Sequence, residues 1–192
     1  MFGPHGLFAA LGAISLFVAP SLKADLITAG SATVQAGAVF TVPVTISAAT
    51  DVFDFQFDVA FNTAILQLQS VTEGPFLMTA GSTTFFPGFI DNTAGNVTFI
   101  ADALNGPGPG AAGSGTLAFL NFEAAALGTS ALTLSDVILQ DPTGADIPFT
   151  AAGGSVTVVA GTAPEPSPAL AACLCLFAVW LYGLRGRGTE PD

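Results

Sequence analysis

DVFDFQFDVAFNTAILQLQS, residues 51–70, is the stretch whose reading decides the fold. Phe53, Phe55, Phe57, Val59 and Phe61 occupy every second position, and Asp54, Gln56, Asp58 and Ala60 fill the gaps. A strand turns alternate side chains to opposite faces, so this period of two predicts one face of rings and one of acids and amides. A helix would scatter the same rings around its circumference and break any apolar stripe with carboxylates. Asn62-Thr63-Ala64 predicts a turn, and Ile65, Leu66 and Leu68 open the next element. A row of Phe rings needs a second apolar layer opposite it, and a second sheet supplies one. The expectation is an all-β sandwich.

Working outward, Phe40, Val42, Val44 and Ile46 alternate with Thr41, Pro43 and Thr45. Pro43 lacks a ladder donor, which predicts that this strand, or this end of it, lies at an edge. Glu73-Gly74-Pro75 breaks the pattern. Phe76–Asn96 reads as a short strand plus loops, and Val97–Ile100 as another short strand. Asn105–Gly115, NGPGPGAAGSG, reads as a loop because its Gly and Pro density denies it regular structure. Thr116–Glu123 is apolar on both faces, as a central strand can be. Ala131–Leu139 changes phase midway, which predicts a bulge near Ser135 or Asp136. Asp141–Asp146 is a turn and Ser155–Val159 a last strand. The sum is about nine strands within residues 25–160.

The ends of the chain are different. Met1–Ala24 reads as a secretory signal helix, with an apolar run Leu7–Ala19 and cleavage after Ala24 or Ser21; an uncleaved anchor is the alternative. Residues 161–168 form a linker in which Pro164, Pro166 and Pro168 keep the chain extended. Residues 169–184, Ala169–Leu184, carry no charge and predict a transmembrane helix of about 24 Å, slightly short of a hydrocarbon core of about 30 Å. Trp180 and Tyr182 sit near its end, and Arg185 and Arg187 follow in a basic tail, residues 185–192, which positive charge assigns to the cytoplasm. Cys173 and Cys175 lie in that apolar block, as small lipid-facing side chains or as acylation sites.

Of 192 residues, 51% are hydrophobic and the formal net charge is -11. The only basic side chains besides His5 are Lys23, Arg185 and Arg187, so none falls between Ala24 and Leu184. Nucleic-acid binding needs cations that displace counterions from phosphate, and this class is excluded. Residues 25–163 contain no His, Cys, Lys, Arg, Tyr or Trp. General acid–base and nucleophilic chemistry would rest on carboxylates, Ser and Thr alone, and no catalytic residue is assigned. No cofactor is implied. Asp136, Asp141 and Asp146 stand around one turn as weak calcium candidates, with a solvated acidic turn as the plainer reading.

Two resemblances rest on these residues. The tail resembles a PEP-CTERM sorting signal: Pro164-Glu165-Pro166, then the apolar span Ala169–Leu184, then Arg185 and Arg187, in the family's order. That resemblance implies processing by an exosortase, a membrane enzyme. It also implies export to the cell surface or extracellular polysaccharide matrix of a Gram-negative bacterium. The middle of the chain resembles a cohesin module. The segments that carry this are Val34-Gln-Ala-Gly37, Phe40–Thr45, Phe55-Gln-Phe-Asp58, Phe61-Asn62 and Leu66 through Val71 to Gly74, then Gly115–Phe122, Leu132–Leu134 with Asp136-Val137, and Gly153–Val158. Thr63 departs from the family, which commonly has Pro there. The resemblance implies a nine-stranded jelly roll related to carbohydrate-binding modules, and a dockerin-like protein partner. Two binding surfaces follow. One is the outer face of the Phe-rich strand, with Asp54, Gln56 and Asp58. The other is a glycan platform of Phe76, Phe85, Phe86 and Phe89, which would suit polysaccharide adhesion; core packing of these rings under a loop is the plainer reading. A passive matrix component is the third reading.

Overall fold

The structure, a computed structural model, describes residues 25–161. The expected signal peptide, PEP triplet, transmembrane helix and basic tail lie outside the described residues.

Among the described residues there are eleven strands and one short 3-10 turn. They are β1 (Asp25–Ala29), β2 (Ala32–Gln35), β3 (Val39–Val52), β4 (Asp54–Ala60), β5 (Leu66–Glu73), the turn η1 (Leu77–Thr79), β6 (Thr83–Asp91), β7 (Asn96–Leu104), β8 (Ala111–Ala124), β9 (Gly128–Gln140), β10 (Phe149–Ala152) and β11 (Gly154–Val159). Two sheets form, in the orders β10-β1-β3-β8-β5 and β2-β11-β9-β4-β7-β6. None of the described helical segments is long and apolar enough to cross a membrane.

The Phe-rich stretch forms β4, between β7 and β9 in the six-stranded sheet. Phe55, Phe57 and Val59 are buried, Phe61 follows them inward, and Phe53 is half-buried at the rim where the chain leaves one sheet for the other. From the facing sheet, Ile27, Val44, Ile46, Leu68, Leu120 and Phe122 close the core. Each large apolar side chain taken from water there contributes about 1.5–3 kcal/mol. The Phe122 ring packs edge-on against Phe61 at 5.3 Å and joins the two sheets.

Asn62 makes the predicted turn. Its side-chain oxygen accepts from the Ala64 N–H at 3.0 Å, and its carbonyl accepts from Ile65 and Leu66. Pro43 sits in β3, which is flanked by β1 and β8 and is no edge strand as a whole. The edge exists only locally. β1 stops at Ala29, the Gly30 N–H donates to the Pro43 carbonyl at 2.9 Å, and beyond that point no neighbour asks Pro43 for a donor.

Three expectations are corrected. The strand count rises from about nine because β1, β2 and β10 are too short to show a period. Phe76–Asn96 contains a nine-residue strand, β6, and Val97–Ile100 extends to Leu104. The Gly-rich loop ends at Gly110, because Ala111–Gly115 already pairs with β3.

Asn92, in the β6–β7 turn, stitches the sandwich at its open side. Its amide nitrogen donates to the Leu68 carbonyl at 3.0 Å and its oxygen accepts from the Leu68 N–H at 2.9 Å. The side chain thus treats edge strand β5 as a neighbouring strand would. Asn92→Ala leaves both half-buried backbone groups unpaired and is expected to cost about 1–3 kcal/mol. Thermal unfolding checks this as a drop of roughly 3–10 °C.

Candidate functional site

The outer face of the six-stranded sheet is built from paired rows. Ile138 on β9 stands opposite Gln56 on β4, Gln56 opposite Ala101 on β7, and Ala101 opposite Phe86 on β6. The next row runs Gln140, Asp54, Ala103, Thr84. Side chains directly opposite on one face are neighbours, so each row is a line of contact across four strands. In both rows the β7 member is alanine. Two short side chains between longer ones leave a trough of about 300 Å³ lined by Asp54, Gln56, Thr84, Ala101, Ala103 and Ile138. A second groove of about 370 Å³ continues past Ile138 and Gln140 to Asp146, Ile147 and Phe149.

Beside the trough, where Phe86 stands opposite Ala101, lies an aromatic cluster. Phe86, Phe89 and Phe99 are 37%, 65% and 47% exposed. Phe86 meets Phe89 at 5.2 Å and Phe99 at 5.7 Å, both edge to face. Rings prefer this tilted packing, yet three together in water form an apolar patch of the kind that marks a contact surface.

Phe99 reaches the outer face through a bulge. Phe57 pairs with Ile100 but Val59 pairs with Val97, so β7 carries an extra residue between them. Phe99 has φ 60°, a left-handed conformation that is strained for a large side chain. Its N–H donates to Asp58 Oδ1 at 2.7 Å. A charged acceptor strengthens that bond and pins the bulge. β9 bulges at the same level, where Gln56 pairs with Ile138 and Asp58 with Ser135, and Asp136 there has φ 47°. The acid side of the trough is partly dehydrated. Burial raises the Asp54 carboxyl above the ordinary carboxylate value, and the charge of Asp146 raises it further.

The residues expected from sequence sort as follows. Asp54, Gln56 and Asp58 do share the outer face, each half-buried, and Asp58 is spent on Phe99. The expected Phe platform divides. Phe76 is buried under the β5–β6 crossing and Phe85 packs against the core, while Phe86 and Phe89 remain outside. In β6 these residues alternate, so Phe85 and Phe86 cannot face the same way. The three calcium candidates do not gather. Asp141 Oδ1 accepts from Thr143 N, Thr143 Oγ1 and Ala145 N, and these bonds hold its carboxyl below the usual value. Asp146 accepts from Gln140, and Asp136 lies in the bulge. Among the described residues, no group of three His, Cys, Asp or Glu is placed to hold a metal ion.

Sequence reasoning missed Phe99, Ile138 and the two alanines. The bulge hides Phe99 by breaking the period of two, and a trough made by absent side chains has no motif. The pairing of small residues at 101 and 103 with long ones at 54 and 56 was the only available signal.

The Cohesin domain family matches residues 27–158, most of the described sandwich. The chain belongs to the cohesin family. A curated relative, cellulose-binding protein A of Clostridium cellulovorans, is 25% identical over 151 residues. This cohesin chain aligns over 77% of its own length but spans only 8% of that protein. Among solved structures, a non-cellulosomal cohesin of Archaeoglobus fulgidus superposes with a TM-score of 0.58 at 20% identity, covering 71% of this chain and 92% of that one. The CaCohA2 structure of Clostridium acetobutylicum gives 0.56 at 26% identity, covering 73% and 94%. The cohesin in a type I cohesin–dockerin complex of Clostridium thermocellum gives 0.59 at 13% identity, covering 71% and 99%. These likenesses establish the fold of the cohesin domain.

Proposed function

We propose that this cohesin domain is a non-catalytic recognition module whose ligand is a protein, a dockerin-like module, seated on the outer face of β9-β4-β7-β6. The observation that carries the reading is the outer face itself: a trough over Ala101 and Ala103 beside Asp54 and Gln56, with the exposed cluster of Phe86, Phe89 and Phe99 next to it through Phe86, which stands opposite Ala101. Eleven acidic and no basic side chains lie in residues 25–161. A partner of matching chemistry brings an apolar anchor for the trough and Lys or Arg for its acidic side. The neighbouring structures found with dockerins support this class of partner.

Glycan adhesion is the second reading, because three exposed rings stand together. The geometry favours protein. The rings meet at interplanar angles of 61° and 68°, so they offer no flat surface for a sugar to stack on. Phe also lacks the polar tip with which Tyr and Trp grip a hydroxyl.

Calorimetry of the full chain against a panel of dockerin modules, beside a glycan array, tests the choice. Binding to a dockerin is expected, weakened at least 30-fold by Phe86→Ala with Phe99→Ala, since anchoring side chains cost about 2 kcal/mol or more on truncation. A Gln69→Ala control on β5, in the other sheet, should bind normally. Glycan binding without dockerin binding would overturn the proposal.

Delivery belongs to the same reading. The signal at Met1–Ala24 would export the chain. Pro164-Glu165-Pro166 with Arg185 and Arg187 would submit the tail to an exosortase and leave the domain at the cell surface or in the matrix. Mass measurement of the secreted protein should find its end near the PEP triplet. A mature chain that retains Arg187 would contradict exosortase processing.

A further inference from the structure

Asp102 is an acid turned into the sandwich. It lies between Ile100 and Leu104 in the inward row of β7, opposite Phe55 on β4 and Phe85 on β6. It is 2% exposed, and neither carboxyl oxygen has a partner at full hydrogen-bond geometry, the Ala103 N–H being the one donor near it. A buried carboxylate so thinly supported is costly, so something must neutralise it. No Lys, Arg or His is present in residues 25–161 to do so. What stands beside it is a second acid, Glu73, the last residue of β5 in the other sheet, close enough for the two carboxyls to hydrogen-bond. Glu73 also accepts a hydrogen bond from Thr83 Oγ1, at the first residue of β6. Two carboxylates both accept and neither donates. They bond only if one of them keeps a proton.

We propose that Glu73 and Asp102 share one proton and together form a pH-sensitive latch that holds the β5–β6 crossing against β7. The place matters because the chain passes between sheets there, through Gly74, Phe76 and η1. β6 then carries Phe86 and Phe89, so the latch secures the strand that bears the exposed rings. The other elements packed around Asp102 supply no competing charge. β4 turns Asp54 and Asp58 to the opposite face. η1 has no titratable group. Asp91 sits at the far end of β6, where it caps its own turn. Glu123 of β8 bonds Gln69, away from Glu73 along β5.

Burial, and then the charge of Glu73, push the Asp102 carboxyl up to about 7 from its ordinary 3.8. The folded chain therefore holds a proton that the unfolded chain has already released. Stability falls as pH rises between those two values and levels off above about 7, because the unfolded state binds fewer protons throughout that window.

The experiment is thermal unfolding of the full chain at pH 5 and pH 8, with EDTA or with added calcium, alongside hydrogen exchange corrected for its intrinsic pH dependence. The melting temperature is expected to fall by roughly 5 °C or more from pH 5 to pH 8, with protection lost first in residues 74–85. Asp102→Asn, which supplies a permanent donor to Glu73, should flatten the fall. Glu73→Gln should do the same and serves if the first variant does not fold. An unchanged pH slope in the variant that folds would overturn the latch. So would calcium restoring the pH 8 melting temperature, since the pair would then be a cation seat.

Discussion

Phe57→Ala is expected to destabilise the domain by about 3–5 kcal/mol, the range for deleting a fully buried ring. Phe57 is 0% exposed at the middle of β4, stacked on Phe55 at 5.7 Å and paired with Ile100. Its ring fills the gap between two sheets that are hydrogen-bonded along their lengths and cannot sag into a hole. The cavity therefore persists, and its cost adds to the lost transfer energy. Urea unfolding measures this as a lower midpoint with an unchanged slope. Gln56→Ala, one residue away on the other face, should shift stability by less than about 0.5–1 kcal/mol. Equal, small effects from both would mean that the rings do not fill the interior.

Gly154→Ala should be nearly as damaging, by a different route. A Cβ there would fall on the carbonyl oxygens of Gly30 and Ala29, closer than any real contact. Both obstacles are backbone, at the point where β11 of one sheet passes the end of β1 in the other. No side chain can swing aside, so the sheets must part. A loss of about 3 kcal/mol, the upper range for overpacking, is expected. Gly108→Ala, where nothing lies within 4 Å, is the control and should be nearly neutral. Circular dichroism melts of the two variants separate a steric demand from a general loss of flexibility.

The parts of the fold that could be read from sequence are those in which one period runs long enough. Phe53–Phe61 and Phe40–Ile46 each hold a period of two across several positions, and both became strands with the expected faces inward. The bulge in β9 was visible because Ala131–Leu139 carries the alternation on both sides of it. β7 was half hidden. After Phe99 the phase slips, and Asp102 puts an acid where the core expects an apolar residue, so the strand seemed to stop at Ile100. Its neighbour across the interior is Glu73, which no local window contains. The site was legible on β4 alone. Its other walls come from β6, β7 and β9, and only pairing registers place Ile138, Ala101 and Phe86 in line with Gln56.

The two short parallel pairings have a mechanical consequence. β1 lies parallel to β10, and β2 parallel to β11, so the first strands of the domain are bonded to the last. Tension applied between the two ends pulls β2 and β11 along their common axis in opposite senses. The rungs from Ala32–Val156 to Gln35–Val159 then carry the load together and yield together, whereas a hairpin peeled from one end gives them up singly. A domain pulled by both of its ends would resist in shear.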